Sequence, residues 1–324
     1  MNTELQAVVL QATGASAITS QQVIQTLWSG YGEIIRVGLS GAGPASAILK
    51  YIDIPTAAAH PRGWHSDRSH ARKIRSYKVE MYWYRAWSQR CSEGCRVAAC
   101  YGVSADGHAD VMVLEDLDAA GFPVRKSELN KMEVESCLSW LANFHATFMG
   151  QPPQGLWQIG SYWHLATRPD ELAAMSDLAL KGAAARIDQL LNECPYQTLV
   201  HGDAKVANFC FSEEGCRVAA VDFQYVGGGC GMKDVAYLLG SCLAEEVCER
   251  WEEALLDHYF SELRRALSQQ AKVAVDQDDL EAQWRALYPV AWTDFYRFLQ
   301  GWAPTHKKIN GYSERLAAGV LRHL

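Results

Sequence analysis

Residues 200–224 read VHGDAKVANFCFSEEGCRVAAVDFQ. An apolar pair, Leu199 and Val200, leads into His201, Gly202 and Asp203, and Asn208 opens an alternating apolar run. The pattern predicts a hairpin, with a strand over Asn208–Phe211, a turn at Ser212–Gly215 and a returning strand over Arg217–Asp222. Such a hairpin brings Asp222 back to the end that Asn208 leaves. An amide oxygen and a carboxylate at one hairpin end suit a hard divalent cation such as Mg²⁺, which takes oxygen ligands. Asp203, at the tip of the preceding loop, is ionised near neutrality from a reference pKa of about 3.9 and is able to accept a proton. Taken alone, an aspartate five residues before an asparagine usually marks a solvated turn. An apolar strand before it, a hairpin within it and a second carboxylate after it favour chemistry.

HGDAKVAN resembles the H-x-D-x-x-x-x-N catalytic loop of the protein-kinase-like superfamily, in the branch that phosphorylates small molecules. DFQ over Asp222–Gln224, with GMKDVAYLLGSCL further on, looks most like the ecdysteroid-kinase-like and choline-kinase-like enzymes of that branch, which also holds the aminoglycoside phosphotransferases. The family's third loop residue is glycine, and Gln224 stands there instead. The resemblance implies Asp203 as catalytic base, Asn208 and Asp222 as Mg²⁺ ligands, and Lys205 directed at the γ-phosphate of ATP. The short segment from Gln224 to Asp234 leaves no room for the activation segment of a protein kinase, which favours a small acceptor. Asp234 is expected to cap the following helix or, by the resemblance, to prop the catalytic loop.

Upstream, three strands are expected at Val23–Trp28, Glu33–Leu39 and Ala45–Ile52, separated by SGYG and SGAGP. Ser29, Gly30 and Gly32 in the first turn would let backbone N–H groups approach a phosphate. The resemblance puts a phosphate-covering loop there, although a full GxGxxG is absent and such turns are common without ligands. Lys50, in ILKYI, reads alone as solvent-facing. RKIRSYKVEMYWYRAW has Ile74, Tyr77, Met81 and Tyr84 at helical spacing, with Glu80 among them. By the resemblance Lys50 pairs with Glu80 and orients the nucleotide phosphates. Residues 53–69 read as an inserted loop. Strands over Arg96–Val103 and Val111–Leu114 complete a five-stranded sheet, and Glu115 to Leu117 resemble the segment joining two lobes, where adenine meets the backbone.

A chain of 324 residues is long for one core, so two lobes are expected. The fold class is α/β in the α+β sense, a two-lobe protein-kinase-like fold. Residues 1–22 form an N-terminal extension, 23–114 a small antiparallel-sheet lobe, and 115–324 a larger, mainly helical lobe. Net charge is −7 with Lys and Arg dispersed, which argues against a nucleic-acid partner. No run reaches membrane-spanning length. Ten cysteines without a CxxC repeat argue against a zinc site and, with no signal peptide, for reduced thiols and a cytoplasmic protein.

Helices are expected over Glu133–Met149, where His145 reads as structural, and over Glu171–Leu191. Trp284, Tyr288, Trp292 and Tyr296 recur four residues apart in a helix that Pro289 is placed to interrupt. Their stripe reads as core or as a wall of an acceptor pocket, with Asp294 adding charge toward an ammonium group. The function implied is ATP- and Mg²⁺-dependent phosphorylation of a hydroxyl on a small molecule, choline-like, aminoglycoside-like or another alcohol. The alternative is a pseudokinase that binds nucleotide without transfer.

Overall fold

A computed structural model of the chain describes residues 1–27, 30–53, 67–104, 110–270 and 275–324. The N-terminal part runs α1 (Thr3–Thr13), β1 (Ala17–Thr26), β2 (Gly32–Ser40), β3 (Ser46–Ile52), α2 (Asp67–Ala86), β4 (Cys100–Ser104) and β5 (Asp110–Glu115). The five strands form one antiparallel sheet in the order β1-β2-β3-β5-β4. Alternation along the strands decides its two faces. Ile35, Val37, Ala47, Leu49, Val111 and Val113 point one way, into a core shared with Leu5 and Val9 of α1. Ile34, Arg36, Ile48 and Lys50 point the other way, into a cleft.

Two expectations about this part are corrected. Residues 1–22 are not an extension outside the sheet, because α1 lies on the sheet's outer face and β1 begins at Ala17 rather than Val23. A sheet with apolar residues on both faces needs cover on each, and α1 supplies it where the cleft does not. The strand expected over Arg96–Val103 is paired within the sheet only at Cys100–Ser104, whereas Val97 forms a parallel bridge to Ala220 of the downstream hairpin. Trp28, Ser29 and residues 54–66 of the expected insert lie outside the described residues.

The C-terminal part comprises α3 (Lys131–Thr147), α4 (Pro169–Ala174), α5 (Leu178–Asn192), β6 (Thr198–Val200), β7 (Phe209–Phe211), β8 (Val218–Ala220), β9 (Gly227–Gly229), α6 (Met232–Cys242), α7 (Glu245–Ser268), α8 (Gln277–Trp302) and α9 (Gly311–Leu321). A capping box sets the start of α3, where Asn130 accepts from Glu133 N–H and Glu133 accepts from Asn130 N–H. The helix then carries Leu138, Trp140, Leu141 and Phe144, all buried, through the centre of this lobe. The helix expected over Glu171–Leu191 is two, broken at Met175 to Asp177, and Asp177 caps the second by accepting from Leu180 N–H. Pro289 does not break α8. Packing against α4, α5, α6 and α9 on several sides holds that helix across the one missing N–H.

The hairpin that organises the chain forms as β7 and β8, in register Phe209↔Ala220 to Phe211↔Val218. It is shorter than expected at both ends. Asn208 closes a 3-10 turn from Val206, and Asp222 lies beyond β8, so both polar groups project from the hairpin's end instead of sitting within strands. No described helix is long and apolar enough to cross a membrane.

Candidate active site

The loop after β6 is held from below by one buried carboxylate. Asp234, in the first turn of α6, accepts His201 N–H at 2.6 Å and Gly202 N–H at 2.9 Å. It therefore props the loop and does not cap α6, whose N-cap is Gly231 without a side-chain bond. Behind it, His145 places Nε2 3.2 Å from Asp234 and Nδ1 2.7 Å from the Tyr259 hydroxyl, the structural role expected of it. Gly202 has φ +76°, and a Cβ there would lie 2.2 Å from the Tyr225 carbonyl oxygen. Only glycine lets the loop pass so close to the segment carrying Asp222. His201 accepts Asp203 N–H at Nδ1, and its Nε2 donates to the Val221 carbonyl at 3.0 Å, linking the same two segments again.

Asp203 is buried at the loop's tip. Its Oδ2 accepts from Lys205 Nζ at 3.0 Å and Asn208 Nδ2 at 3.1 Å, while its Oδ1 is buried without a hydrogen-bond partner. Burial pushes its carboxyl above the ordinary value, Lys205 pulling against that and Asp222 adding to it. Asn208 also donates to the Asp203 carbonyl at 2.8 Å, so its amide nitrogen is committed to the loop and its Oδ1 is the end left for a cation.

Asp222 adopts φ +68°, a left-handed conformation that a non-glycine residue holds only under constraint from its surroundings. Its neighbour Phe223 supplies that constraint, stacked on Trp83 with centroids 4.6 Å apart and fully buried. Asp222 Oδ1 lies 3.6 Å from Lys50 Nζ and has no hydrogen bond. Lys50 in turn meets Glu80 of α2 at 2.6 Å, both side chains being buried. Burial opposes ionisation of Asp222, but the cations of Lys50, Lys73 and Lys205 outweigh it and hold its carboxyl below the usual value. For Lys50 burial likewise works against the charge, and Glu80 with Asp222 reverses the sign and raises its pKa.

These groups share one cleft of about 1280 Å³, lined by Lys50, Glu80, Asp203, Lys205, Asn208 and Asp222, with Glu115 and Leu117 at its far side. The Glu115 carboxylate is taken by Arg96 Nη2, at 2.7 and 2.6 Å, and by Ala99 N–H. What that segment offers a ligand is therefore backbone. The Leu117 carbonyl is engaged by Phe122 N–H. Gly30 and Gly32 are not among the lining residues; Ile24, Gln25, Leu27 and Tyr31 are. The need for glycine at position 32 comes from the sheet, since a Cβ there would stand 2.0 Å from the Tyr51 carbonyl oxygen of β3. Ser29 lies outside the described residues.

Three cleft residues escape a reading of the sequence. Arg36 points inward from β2 and grips Asp116 at 2.8 Å together with Asp118. Lys73 of α2, its pKa brought down to about 8 by burial with Asp222 acting oppositely, donates to Gln224 Oε1 at 2.7 Å. Lys308 enters from the loop between α8 and α9. For Arg36 the signal was strand alternation, two residues from Ile34, which pairs with Lys50, and so on the same face of the sheet; the other two carry none.

The aromatic stripe is core. Trp284, Tyr288, Trp292 and Tyr296 are buried, and none lines the cleft. Trp284 Nε1 donates to the Tyr196 carbonyl and Trp292 Nε1 to Ser313 Oγ. Asp294 is committed to Arg297 at 2.8 Å and Trp163 Nε1 at 2.9 Å, so it offers nothing to an ammonium ligand. The rings that face the cleft from α8 are off the stripe, at Phe295, Phe298 and Trp302.

Among solved structures, the chain is similar to an aminoglycoside phosphotransferase mutant in ternary complex with ADP and hygromycin B, at 13% identity and TM-score 0.49, covering 99% of this chain and 98% of that one. It is similar also to an ethanolamine kinase from Plasmodium vivax, at 11% identity and TM-score 0.48, covering 94% and 83%. A choline/ethanolamine kinase family protein from Mesorhizobium loti matches at 14% identity and TM-score 0.43, covering 99% and 94%. No curated protein sequence matches the chain. The model of the ecdysteroid kinase-like family matches residues 66–150 and 163–271, more than half of the chain and both segments that carry the cleft's carboxylates, and the chain belongs to that family.

Proposed function

We propose that this protein transfers the γ-phosphoryl group of ATP to a hydroxyl of a small molecule. The observation that carries the reading is the convergence of Lys50, paired with Glu80 at 2.6 Å and with Asp222 at 3.6 Å, on the cleft that holds Asp203 and Asn208. Lys50, held by Glu80, is the group that orients the nucleotide phosphates, and the backbone of Glu115 and Leu117 is the edge that receives the base. The acceptor oxygen attacks the γ-phosphorus, the bond from that phosphorus to the β-phosphate oxygen breaks, and ADP leaves with the electron pair. The hydroxyl proton passes to Asp203, whose unpartnered Oδ1 and raised pKa suit a base. Lys205, bonded to Asp203, places a cation beside the transferred group.

The donor set fits Mg²⁺. Asn208 Oδ1 and the unbonded Asp222 Oδ1 are hard oxygen donors. Asn208 and Asp222 would hold the ion, with nucleotide phosphate and water supplying its other oxygens. When bound, the ion neutralises charge on the phosphate oxygens.

The test is Asp203→Asn. Transfer to an alcohol panel, followed as ADP release, is expected to fall by about 10² to 10⁴ while ATP binding persists. Transfer at the native rate in that variant would remove Asp203 as base, and ATP binding without transfer in the native protein would make it a pseudokinase.

A further inference from the structure

The acceptor end of the cleft is ring-lined, and two of its described carboxylates, Glu171 and Asp203, are engaged. Tyr162, Tyr237, Phe295, Phe298 and Trp302 line it beside Asp203, with the rings of Phe298 and Trp302 stacked at 5.6 Å. Glu171 is taken by Arg168 at 3.0 Å, Asp170 lies 4.0 Å from Arg68, and Asp203 is bonded to Lys205. The cation at Lys308 is not engaged in return. Its ammonium stands over the rings of Tyr237 at 4.7 Å and Phe295 at 5.2 Å, and among the described residues it makes no ion pair and no hydrogen bond.

The backbone beneath that ammonium is pinned. The Lys308 carbonyl accepts from Ser313 Oγ at 2.9 Å, Ser313 Oγ accepts from the buried Trp292, and Lys308 N–H donates to His306 Nδ1. Burial lowers the Lys308 pKa to about 8, with Asp203 opposing the shift, so most of the ammonium keeps its charge at neutral pH. A half-buried cation on a fixed loop, backed by aromatic faces and lacking an anion of its own, is stabilised by an anion that a ligand brings.

We propose that the acceptor is a hydroxylated ring compound, aromatic or alicyclic, that carries an acidic group: the ring lies among Tyr162, Phe298 and Trp302, the anion on Lys308, and the hydroxyl at Asp203. The inference rests on the phosphotransferase reading and deepens it. The chemistry is that of any alcohol at this site, with the O–P bond formed at the acceptor oxygen, ADP leaving and the proton on Asp203. The same cation works against aminoglycoside-like and choline-like acceptors, which would bring positive charge to Lys308 and find Glu171 and Asp203 taken.

The experiment uses the full chain with ATP and Mg²⁺ and three matched probes: 6-(hydroxymethyl)-2-naphthoate, its methyl ester, and the analogue with an aminomethyl group in place of the carboxylate. Binding is read by titration and transfer by mass spectrometry of the phosphorylated product. The acid is expected to bind about tenfold or more tightly than the ester or the amine. Lys308→Met is expected to erase that advantage, and Lys308→Arg to restore most of it. Equal binding of the three probes, or an advantage that survives Lys308→Met, would overturn the proposal. So would a Lys308→Met variant that lowers kcat for acid and ester alike, which would assign Lys308 to the transferred phosphoryl group instead. Selective binding of the acid with no transfer to any alcohol would overturn its role as acceptor and phosphoryl transfer with it. Transfer that favours the amine would overturn the acid subsite alone.

Discussion

At the scale of single residues, the carboxylate and the cation of the loop after β6 act on one another. Lys205 lowers the pKa that burial raises at Asp203, so the acid limb of the rate profile belongs above the ordinary aspartate value of 3.8. Replacing Lys205 with Met removes the opposing cation and is expected to move that limb to higher pH, besides lowering the rate. A limb that stays in place or moves down in a kcat/KM against pH profile would separate Lys205 from the base. Gly202 illustrates a different constraint. With φ +76° and the Tyr225 carbonyl 2.2 Å from a would-be Cβ, Gly202→Ala is expected to cost more than about 2 kcal/mol in denaturant unfolding, from the left-handed conformation and the clash together. Its motif position and the kind of residue were legible, since glycine stands inside HGD. The reason was not, because the obstructing carbonyl lies 23 positions along the chain and only folding brings it there.

Among the secondary-structure elements, the most informative contact joins α2 to the segment after β8. Gln224 closes the DFQ segment, and its Oε1 accepts from Lys73 Nζ at 2.7 Å and from Ser76 Oγ at 3.2 Å. Gln224 is thus a strut between the helix that carries Glu80 and the loop that carries Asp222. Gln224→Gly is expected to lower stability by about 1 kcal/mol, because it leaves the half-buried Lys73 and the buried Ser76 without their shared acceptor. A variant as stable as the native protein would show the strut to be idle. Helix α8 separates core from cleft in a comparable way. Its helical period was readable from Trp284 onward, yet the period marks a shared face without saying which neighbour that face meets. The stripe meets α9 and the loop before β6, through the Trp292 bond to Ser313 and the Trp284 bond to Tyr196. Trp284→Ala is accordingly expected to cost about 3–5 kcal/mol of stability while leaving acceptor preference unchanged in the surviving folded protein. A changed preference would return the stripe to the pocket wall.

Across the whole molecule, Lys50 and Glu80 from the sheet-bearing lobe meet Asp222 from the helical one, and Arg36 of β2 reaches Asp116 and Asp118 in the segment between them. A ligand seated across that junction binds only the assembled form. Saturating Mg-ATP, at about a hundred times its dissociation constant, is therefore expected to stabilise the fold by about 2.7 kcal/mol, read as a rise in Tm. An unchanged Tm would oppose nucleotide binding in this cleft. By itself the sequence determined the local pieces: the hairpin between Asn208 and Asp222, the helix through Glu80, the strand carrying Lys50, and the two-lobe class that their order implies. Those features are encoded by periodicity and by motifs whose members are close in the chain. Tertiary structure alone decided the rest: α1 and residues 17–22 as part of the first lobe, the buried fate of the aromatic stripe, the engagement of Asp294 and the entry of Lys73 and Lys308 into the cleft. Each of these depends on which surfaces meet across long separations, and burial and charge pairing are properties of that meeting rather than of any stretch of residues.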